Sequence, residues 1–456
     1  MGKSRYSSCI SSKTLWQKEI PSHWQETELR MLFADNKNKN IGLVERNLLS
    51  LSYGKLKRKD IDNATGLVPA SFEGYQIIDK GFIVLRFTDL QNDKKSLRVG
   101  YVEERGIITS AYIGLAPKAD IHSKYFYYQL HFLDKIKYFY NLGGGVRQSL
   151  AFKEFGRETV LIPPKEEQTA IARFLDYKLA KINRFIQKKK QLIKLLNEQK
   201  AAIINQAVTK GLDPNAKVKD SGIEWLGEIP EHWAVRKLKY SVRLNSHTSF
   251  ENQESENTKI ALENIESKTG RILELSQNAF EGIGTIFKKG DVLFGKLRPY
   301  LAKVATPNFE GNCVNEILVF TPDNRIWNHE FLKYRILASD FISLVDNSTY
   351  GAKMPRASWS FIGALKLSSP PLIEQTKIIE HIEEQHSDTN LLIAKIEKEI
   401  ALSEEYKTAL IAEAVTGKID VRGYEVPEIM EEETYEEIEE EISMAAEDAA
   451  ENESDL

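Results

Sequence analysis

The chain contains the same set of motifs twice, and this duplication constrains the fold more than any other feature. The block Trp-x-x-Glu-Ile-Pro-x-His-Trp occurs at residues 16–24 and again at 225–233, an offset of 209. A second block, Pro-Pro-x-x-Glu-Gln-Thr, occurs at 163–169 and again at 370–376, an offset of 207. A duplicated chain presents two similar surfaces, and it therefore suits a target that has two parts.

The segments between these blocks each have the size of one domain. They span residues 25–162 and 234–369, or 138 and 136 residues. Inside both, a Lys-Gly turn leads into a short apolar run, and a later stretch with helical apolar spacing ends in a Gly-containing loop. These patterns predict a mixed domain in each copy, with strands early and a helix late, so that the fold class is α+β.

A long helix is predicted after each Pro-Pro pair. Apolar residues recur at spacings of three and four from Glu166 to Val208 and, with some weaker positions, from Glu374 to Val415. This is a coiled-coil period, and a helix of about 42 residues is about 63 Å long. Because each narrow apolar stripe needs a partner, we expect the two helices to pack as an antiparallel coiled coil that separates the two domains. The alternative is that each helix packs on its own domain.

These observations divide the chain into six segments. They are a flexible N-terminal arm at 1–15, a first domain at 16–162, a central helix with its exit at 163–224, a second domain at 225–369, a distal helix with its exit at 370–424, and an acidic tail at 425–456 that we expect to be disordered.

The net charge of −4 hides an uneven distribution. The tail contains 15 acidic residues and no Lys or Arg, so residues 1–424 carry a net charge of +11. A basic body is compatible with nucleic-acid binding, although this charge is mild for its size. The tail is either a solubilising extension, the usual role of a like-charge block, or a competitor with DNA for the basic surface.

The remaining composition excludes several classes of protein. The two cysteines, Cys9 and Cys313, lie in different halves and form no disulfide framework or zinc motif. No apolar run approaches the ~20 residues of a membrane span, and the N-terminus lacks the apolar core of a signal peptide. We therefore expect a cytoplasmic protein without a metal site or a membrane association.

A search for catalytic motifs gives no convincing candidate. There is no phosphate-binding G-x-x-x-x-G-K-[ST] sequence. Residues 369–372, Ser-Pro-Pro-Leu, resemble the motif of amino-methyltransferases, but Leu372 stands where an aromatic side chain would stack on the target base. A lead-in to the following helix is the better interpretation. We expect the chain to be non-catalytic by itself and to bind no cofactor.

Cationic and polar residues near predicted turns and loops are the candidates for DNA contacts, because Arg pairs with guanine in two hydrogen bonds and both Lys and Arg hold phosphates. For each one, a solvated surface cation is the alternative. The candidates are Lys57, Arg58, Arg86, Arg147, Gln148, Lys296, Arg298, Lys353 and Arg356.

In their order and duplication, these motifs resemble the specificity subunits of type I restriction–modification systems. The resemblance covers residues 13–424 and rests on both Ile-Pro-x-His-Trp entries, both Pro-Pro-x-x-Glu-Gln-Thr helix starts, Gly-Lys-Leu-Arg-Pro at 295–299 and Asn-Ser-Thr-Tyr-Gly at 347–351. It implies two target-recognition domains on an antiparallel helical spacer, each reading one half of a split double-stranded DNA site. It also implies two methyltransferase subunits that bind S-adenosylmethionine, and restriction subunits that use ATP and Mg²⁺.

The two copies also differ, which bears on the target. Residues 86–110 have no close counterpart after Gly295, so we expect two unlike half-sites. Two other functions stay open at this point. One is a fused enzyme that carries methyltransferase, nuclease and specificity in one chain, and the other is a two-headed coiled-coil adaptor that binds two protein partners.

Overall fold

The chain forms two compact units. The computed structural model describes residues 5–62, 69, 71–88, 97–142, 150–248, 258–273, 275, 283–349 and 354–427. The first unit consists of Met1–Lys189 together with Lys398–Leu456, and the second consists of Lys190–Glu397. No helix among these described residues is both long and apolar enough to cross a membrane.

The first unit is a mixed α and β structure built on two four-stranded sheets. Its strands are β1 (Cys9–Ser11), β2 (Glu19–Pro21), β3 (Gln25–Glu28), β4 (Phe33–Asp35), β5 (Leu48–Ser52), β6 (Lys55–Lys59), β7 (Gln76–Ile78), β8 (Ile83–Leu85), β9 (Val99–Tyr101), β10 (Gly106–Ile108), β11 (Ile113–Pro117) and β12 (Thr159–Ile162). Its helices are α1 (Leu29–Leu32), α2 (Ser123–Lys135), α3 (Phe152–Phe155) and the start of α4 (Lys165–Lys210). One sheet has the order β6-β5-β10-β7 and the other β4-β11-β8-β9. Tyr125, Phe126 and Leu130 of α2 are buried against the second sheet, which explains the helical apolar spacing of this segment.

The second unit repeats this arrangement. Its strands are β13 (Val218–Asp220), β14 (Glu228–Pro230), β15 (Ala234–Lys237), β16 (Val242–Asn245), β17 (Thr258–Ile260), β18 (Thr285–Phe287), β19 (Val292–Gly295), β20 (Val304–Ala305), β21 (Gly311–Cys313), β22 (Ile317–Pro322) and β23 (Lys366–Ser369). Its helices are α5 (His329–Leu337), α6 (Ser339–Asn347), α7 (Trp359–Ile362) and most of α8 (Leu372–Val415).

The sheet topologies of the two units correspond strand by strand. The order β16-β22-β19-β20 repeats β4-β11-β8-β9, and β17-β21-β18 repeats β5-β10-β7. In both of the latter sheets the middle strand is parallel to one neighbour and antiparallel to the other. Strand β6, with the sequence Lys-Leu-Lys-Arg-Lys, has no counterpart among the described strands of the second unit. The duplication seen in the sequence therefore extends to the topology, with one clear addition.

The two long helices pack against each other in antiparallel fashion, as predicted. In the first unit Lys407 Nζ of α8 lies 3.2 Å from Asn183 Oδ1 of α4, and Lys189 Nζ lies 2.8 Å from Glu399 Oε2. In the second unit Lys200 Nζ lies 2.6 Å from Asn390 Oδ1. Residue numbers on α8 fall as those on α4 rise, which is the antiparallel direction.

The N-terminal arm contains a strand that the sequence did not predict. Strand β1 lies within residues 1–15 and pairs with β2, with Cys9 opposite Pro21. The second unit has the same hairpin, because Val218 of β13 lies opposite Pro230 of β14. The arm is therefore part of the repeat from Cys9 onward. Its sequence did not indicate a strand, because all three residues of β1 are exposed.

Candidate nucleic-acid interface

The repeated motifs meet in each unit at a site that we call the junction. In the first junction the carboxylate of Glu167, at the start of α4, accepts a hydrogen bond of 2.9 Å from Trp24 Nε1. His23 Nε2 lies 2.8 Å from the other oxygen of Glu167. The hydroxyl of Tyr6 also donates to this carboxylate. Burial and the neighbouring Glu167 carboxylate raise the pKa of Tyr6. The Glu of the second motif thus binds the His and Trp of the first.

The second junction has the same contacts at the repeated positions. Glu374 accepts a hydrogen bond of 3.0 Å from Trp233 Nε1, and its other oxygen lies 2.6 Å from His232 Nε2. The two sites differ in exposure, because the Glu167 side chain is 3% exposed and that of Glu374 is 27% exposed.

The Gln of the second motif connects each long helix to its own domain. Gln168 Oε1 accepts from the backbone N–H of His122, which precedes α2, and its Nε2 donates to the carbonyl of Pro163. Gln375 makes the equivalent bonds with the N–H of Asn328, which precedes α5, and with the carbonyl of Pro370. These bonds satisfy backbone polar groups at helix starts, which explains why the Gln is present in both copies of the motif.

A glycine at the end of each long helix completes the junction of the unit in which that helix ends. Gly417 has φ +73°, and a Cβ there would lie 2.4 Å from Cδ of Pro21. Gly211 has φ +76°, and its nearest neighbour would be the Trp233 ring at 3.4 Å. Both positions need the left-handed backbone that glycine adopts freely.

In the first unit, the candidate DNA-contacting residues lie on β6 and next to β8. Lys57 and Arg58 are exposed on β6, the strand at the edge of its sheet. Arg58 donates from Nε and Nη2 to the carboxylate of Glu104, with the Nε contact at 2.5 Å. Arg86 is half-buried, and its backbone carbonyl accepts from the guanidinium of the buried Arg98.

In the second unit, three candidates that are far apart in sequence come together. The loop after β19 pairs with the segment before α7, because Arg298 N–H donates to the carbonyl of Pro355 and Leu297 forms a β-bridge with Arg356. Lys296 and Arg298 of the loop thereby lie beside Arg356. Arg298 is exposed and has φ 52°, which is uncommon for a residue other than glycine.

Two acidic residues that no sequence pattern singles out hold candidate arginines. Glu316 contacts Arg356 Nε at 3.0 Å and Nη2 at 2.9 Å, and Glu104 holds Arg58 in the same way. The hydrogen bond from arginine lowers the pKa of both carboxylates, and the bond to glutamate raises the pKa of both guanidiniums. These partners are 46 and 40 residues away from their arginines, so no local pattern indicates them.

Three further candidates, Arg147, Gln148 and Lys353, lie outside the described residues. Their role stays a prediction, as does that of the other candidates. Within the described part of the chain, no group of three or more His, Cys, Asp or Glu side chains could hold a metal ion.

Comparisons with known proteins identify the family. The family described as type I restriction modification DNA specificity domain matches the chain twice, at residues 71–195 and 230–402. The chain is 21% identical over 279 residues to the type I restriction enzyme EcoDI specificity subunit of Escherichia coli, a match that covers 57% of this chain and 62% of that subunit. It is 26% identical over 341 residues to the type I restriction enzyme MjaVIII specificity subunit of Methanocaldococcus jannaschii, which covers 71% and 76% of the two chains.

The fold has a counterpart among solved structures. A chain from a structure on the assembly and conformational transition of the type I R-M system superposes with a TM-score of 0.60 at 12% identity, over 88% of this chain and 99% of the other. This likeness supports the α+β fold. The chain belongs to the type I restriction modification DNA specificity family, whose role is DNA sequence recognition. This membership favours DNA recognition over the adaptor and fused-enzyme alternatives.

Proposed function

We propose that each of the two mixed domains reads one half of an asymmetric, bipartite DNA site, and that the antiparallel helix pair fixes the gap between the half-sites. This proposal rests on two features. The frame, by which we mean the two junctions and the two long helices, is duplicated, whereas the candidate surfaces of the two domains differ. The junctions repeat the Glu–Trp and Glu–His contacts, whereas the candidate cations lie on β6 in one unit and on the paired loops around Arg298 and Arg356 in the other. A fixed separation of two readers sets half-site spacing, as in dimeric DNA-binding proteins.

The proposal extends to the complex in which the chain acts. By similarity to its family, the chain would itself be non-catalytic and would dock two methyltransferase subunits through the helix pair, with restriction subunits joining them in the cytoplasm. S-adenosylmethionine, ATP and Mg²⁺ would bind to those partners. Two copies of the junction suit two copies of one partner, which supports this stoichiometry.

Sequencing of methylated bases in a host with and without this gene tests the proposal. We expect a gapped adenine-methylation motif with two unlike halves to disappear on deletion and to return with the wild-type gene. Persistence of every methylated motif in the deletion strain would contradict DNA recognition by this chain. Co-purification with the products of neighbouring genes then tests the partners separately.

Paired variants assign the halves of the motif to the two domains. The first replaces Lys57 and Arg58 by Ala, and the second replaces Lys296 and Arg356 by Ala. We expect each variant to methylate motifs that are altered in one half only, and a different half for each variant, because loss of a base contact relaxes specificity at that position. Loss of both halves in either variant would mean that the domains do not read independently.

A further inference from the structure

Arg58 and Arg356 share one geometry, although they lie on unrelated elements of the two units. Each guanidinium is bound side-on by a single glutamate, through Nε and Nη2. The side chain of Arg58 is 71% exposed and that of Arg356 is 47% exposed, so the pairs lie at the surface. A surface ion pair of this kind contributes little to stability, which leaves its purpose open.

The side-on contact leaves the other edge of each guanidinium available. Arginine has five N–H donors in a fixed plane, and the glutamate occupies the Nε–Nη2 edge. The remaining edge, formed by Nη1 and Nη2, has the donor spacing that matches O6 and N7 of guanine in the major groove. The glutamate also holds the side chain in one orientation, so less rotamer freedom is lost when a base binds.

The adjacent carboxylate changes which part of DNA the arginine prefers. A phosphate carries a negative charge and is repelled by the glutamate, whereas guanine presents neutral acceptors. An arginine paired in this way is therefore a poor phosphate clamp and a suitable base reader. Arg298, which is exposed, is by contrast suited to phosphate contact.

Other arginine–carboxylate forks among the described residues have a local explanation. Arg325 binds Asp323, and Arg422 binds Asp420, each two residues away along the chain. Arg271 binds Glu266, and Arg335 binds Asp340, each five residues away. Such pairs stabilise a turn. The Arg58–Glu104 and Arg356–Glu316 pairs instead connect separate segments of the domain, so they fix the arginine relative to the whole fold.

We propose that Arg58 and Arg356 each read a guanine, one in each half-site, and that Glu104 and Glu316 are positioning residues that orient them. This inference rests on the proposed function, because it assigns roles within the two DNA-reading domains. The glutamates act through the arginines and touch no base.

Binding of the assembled methyltransferase complex to a DNA library randomised within the recognition site tests the assignment. Arg58→Lys and Arg356→Lys keep the charge but lose the planar fork. We expect each to reduce discrimination at one G·C pair by about 10- to 100-fold, in a different half-site for each variant. The dependence of binding on salt should stay the same, since the number of cations is unchanged.

Glu104→Gln and Glu316→Gln test the positioning role. We expect a smaller loss of preference, about 3- to 10-fold, at the same base pair as the matching arginine variant, together with tighter binding to random DNA because a negative charge is removed. Unchanged base preference in these variants would show that the glutamates do not position the readers. Asp323→Asn and Arg325→Lys, which alter a fork of the same geometry, are the matched controls and should leave base preference unchanged.

Each remaining outcome has a distinct meaning. Arg→Lys variants that keep the wild-type base preference, or that weaken binding equally for all sequences, would overturn base reading. Loss of preference at an A·T pair would overturn the guanine assignment. If the wild-type complex has no sequence preference at all, the proposed function fails, independently of the roles of Arg58 and Arg356.

Discussion

The junctions and the candidate reading surfaces repeat to very different degrees. Glu167 and Glu374 bind their Trp and His partners with the same atoms, and the matching glycines both have φ near +75°. Arg58 and Arg356, by contrast, share a fork geometry but lie on an edge strand and on a loop segment. Each junction is constrained by the same hydrogen bonds between fixed partners, whereas exposed readers need only a fixed orientation. Divergence is therefore possible at the surface while the junctions stay alike.

The largest expected effect distinguishes the two junctions themselves. Glu167→Ala removes, in a buried site, the group that accepts hydrogen bonds from Trp24 Nε1 and Tyr6 Oη and that contacts His23. We therefore expect the free energy of local unfolding of β2 to fall by about 4 kcal/mol. Glu374→Ala, in the more exposed junction, should lower the free energy of local unfolding of β14 by about 1 kcal/mol. Hydrogen–deuterium exchange of the two hairpins measures both values.

The isosteric variants Glu167→Gln and Glu374→Gln are the controls for the junction experiment. Their amide oxygens still accept from the indole N–H, so we expect them to retain more than half of the stability that the Ala variants lose. Equal losses of stability in the two Ala variants would show that the greater burial of Glu167 does not strengthen its junction.

The next effect concerns the glycines that end the long helices. An L-residue with a left-handed backbone costs about 1–2 kcal/mol, and this cost applies to both sites. Gly417→Ala adds a clash with Pro21, whereas Gly211→Ala makes only ordinary contacts. We expect about 3 kcal/mol for Gly417→Ala and about 1 kcal/mol for Gly211→Ala, measured by urea denaturation of each variant. Gly423→Ala, where a Cβ meets nothing within 4 Å, should have almost no effect.

The sequence predicted the frame better than the site, and the reason is physical. The period of the long helices and the repeat of Glu-Gln are local patterns, so the antiparallel helix pair followed from them. The partners of Glu167, Arg58 and Arg356 are 40 to 161 residues distant, and only the folded chain brings them together. Strand β1 was missed although its repeat partner β13 lies at the same offset as the entry motif, because Cys-Ile-Ser and Val-Lys-Asp share no residue.

The smallest expected effect concerns buried histidines that pack beside the helix pair. Burial, together with the nearby charges of Lys135 and Lys407, lowers the pKa of His131 on α2 to about 4. In the second unit, burial and the charges of Lys200 and Lys333 outweigh a hydrogen bond with the Lys200 backbone, and they lower the pKa of His386 on α8 to about 4. Both rings are thus neutral in the folded chain at pH values where a solvated histidine takes up a proton.

Acidification should therefore weaken both units in the same direction. Between pH 6.5 and about 4 the unfolded chain binds a proton at each histidine that the folded chain does not, so the free energy of unfolding decreases as pH falls through this window. For His131 the expected loss is about 1 kcal/mol at pH 5.5 relative to pH 7.5. Urea denaturation at both pH values should show a smaller pH dependence for His131→Asn than for the wild type. If the variant and the wild type lose equal stability between pH 7.5 and pH 5.5, a different group accounts for the acid sensitivity, and the neutral form of His131 does not contribute to it.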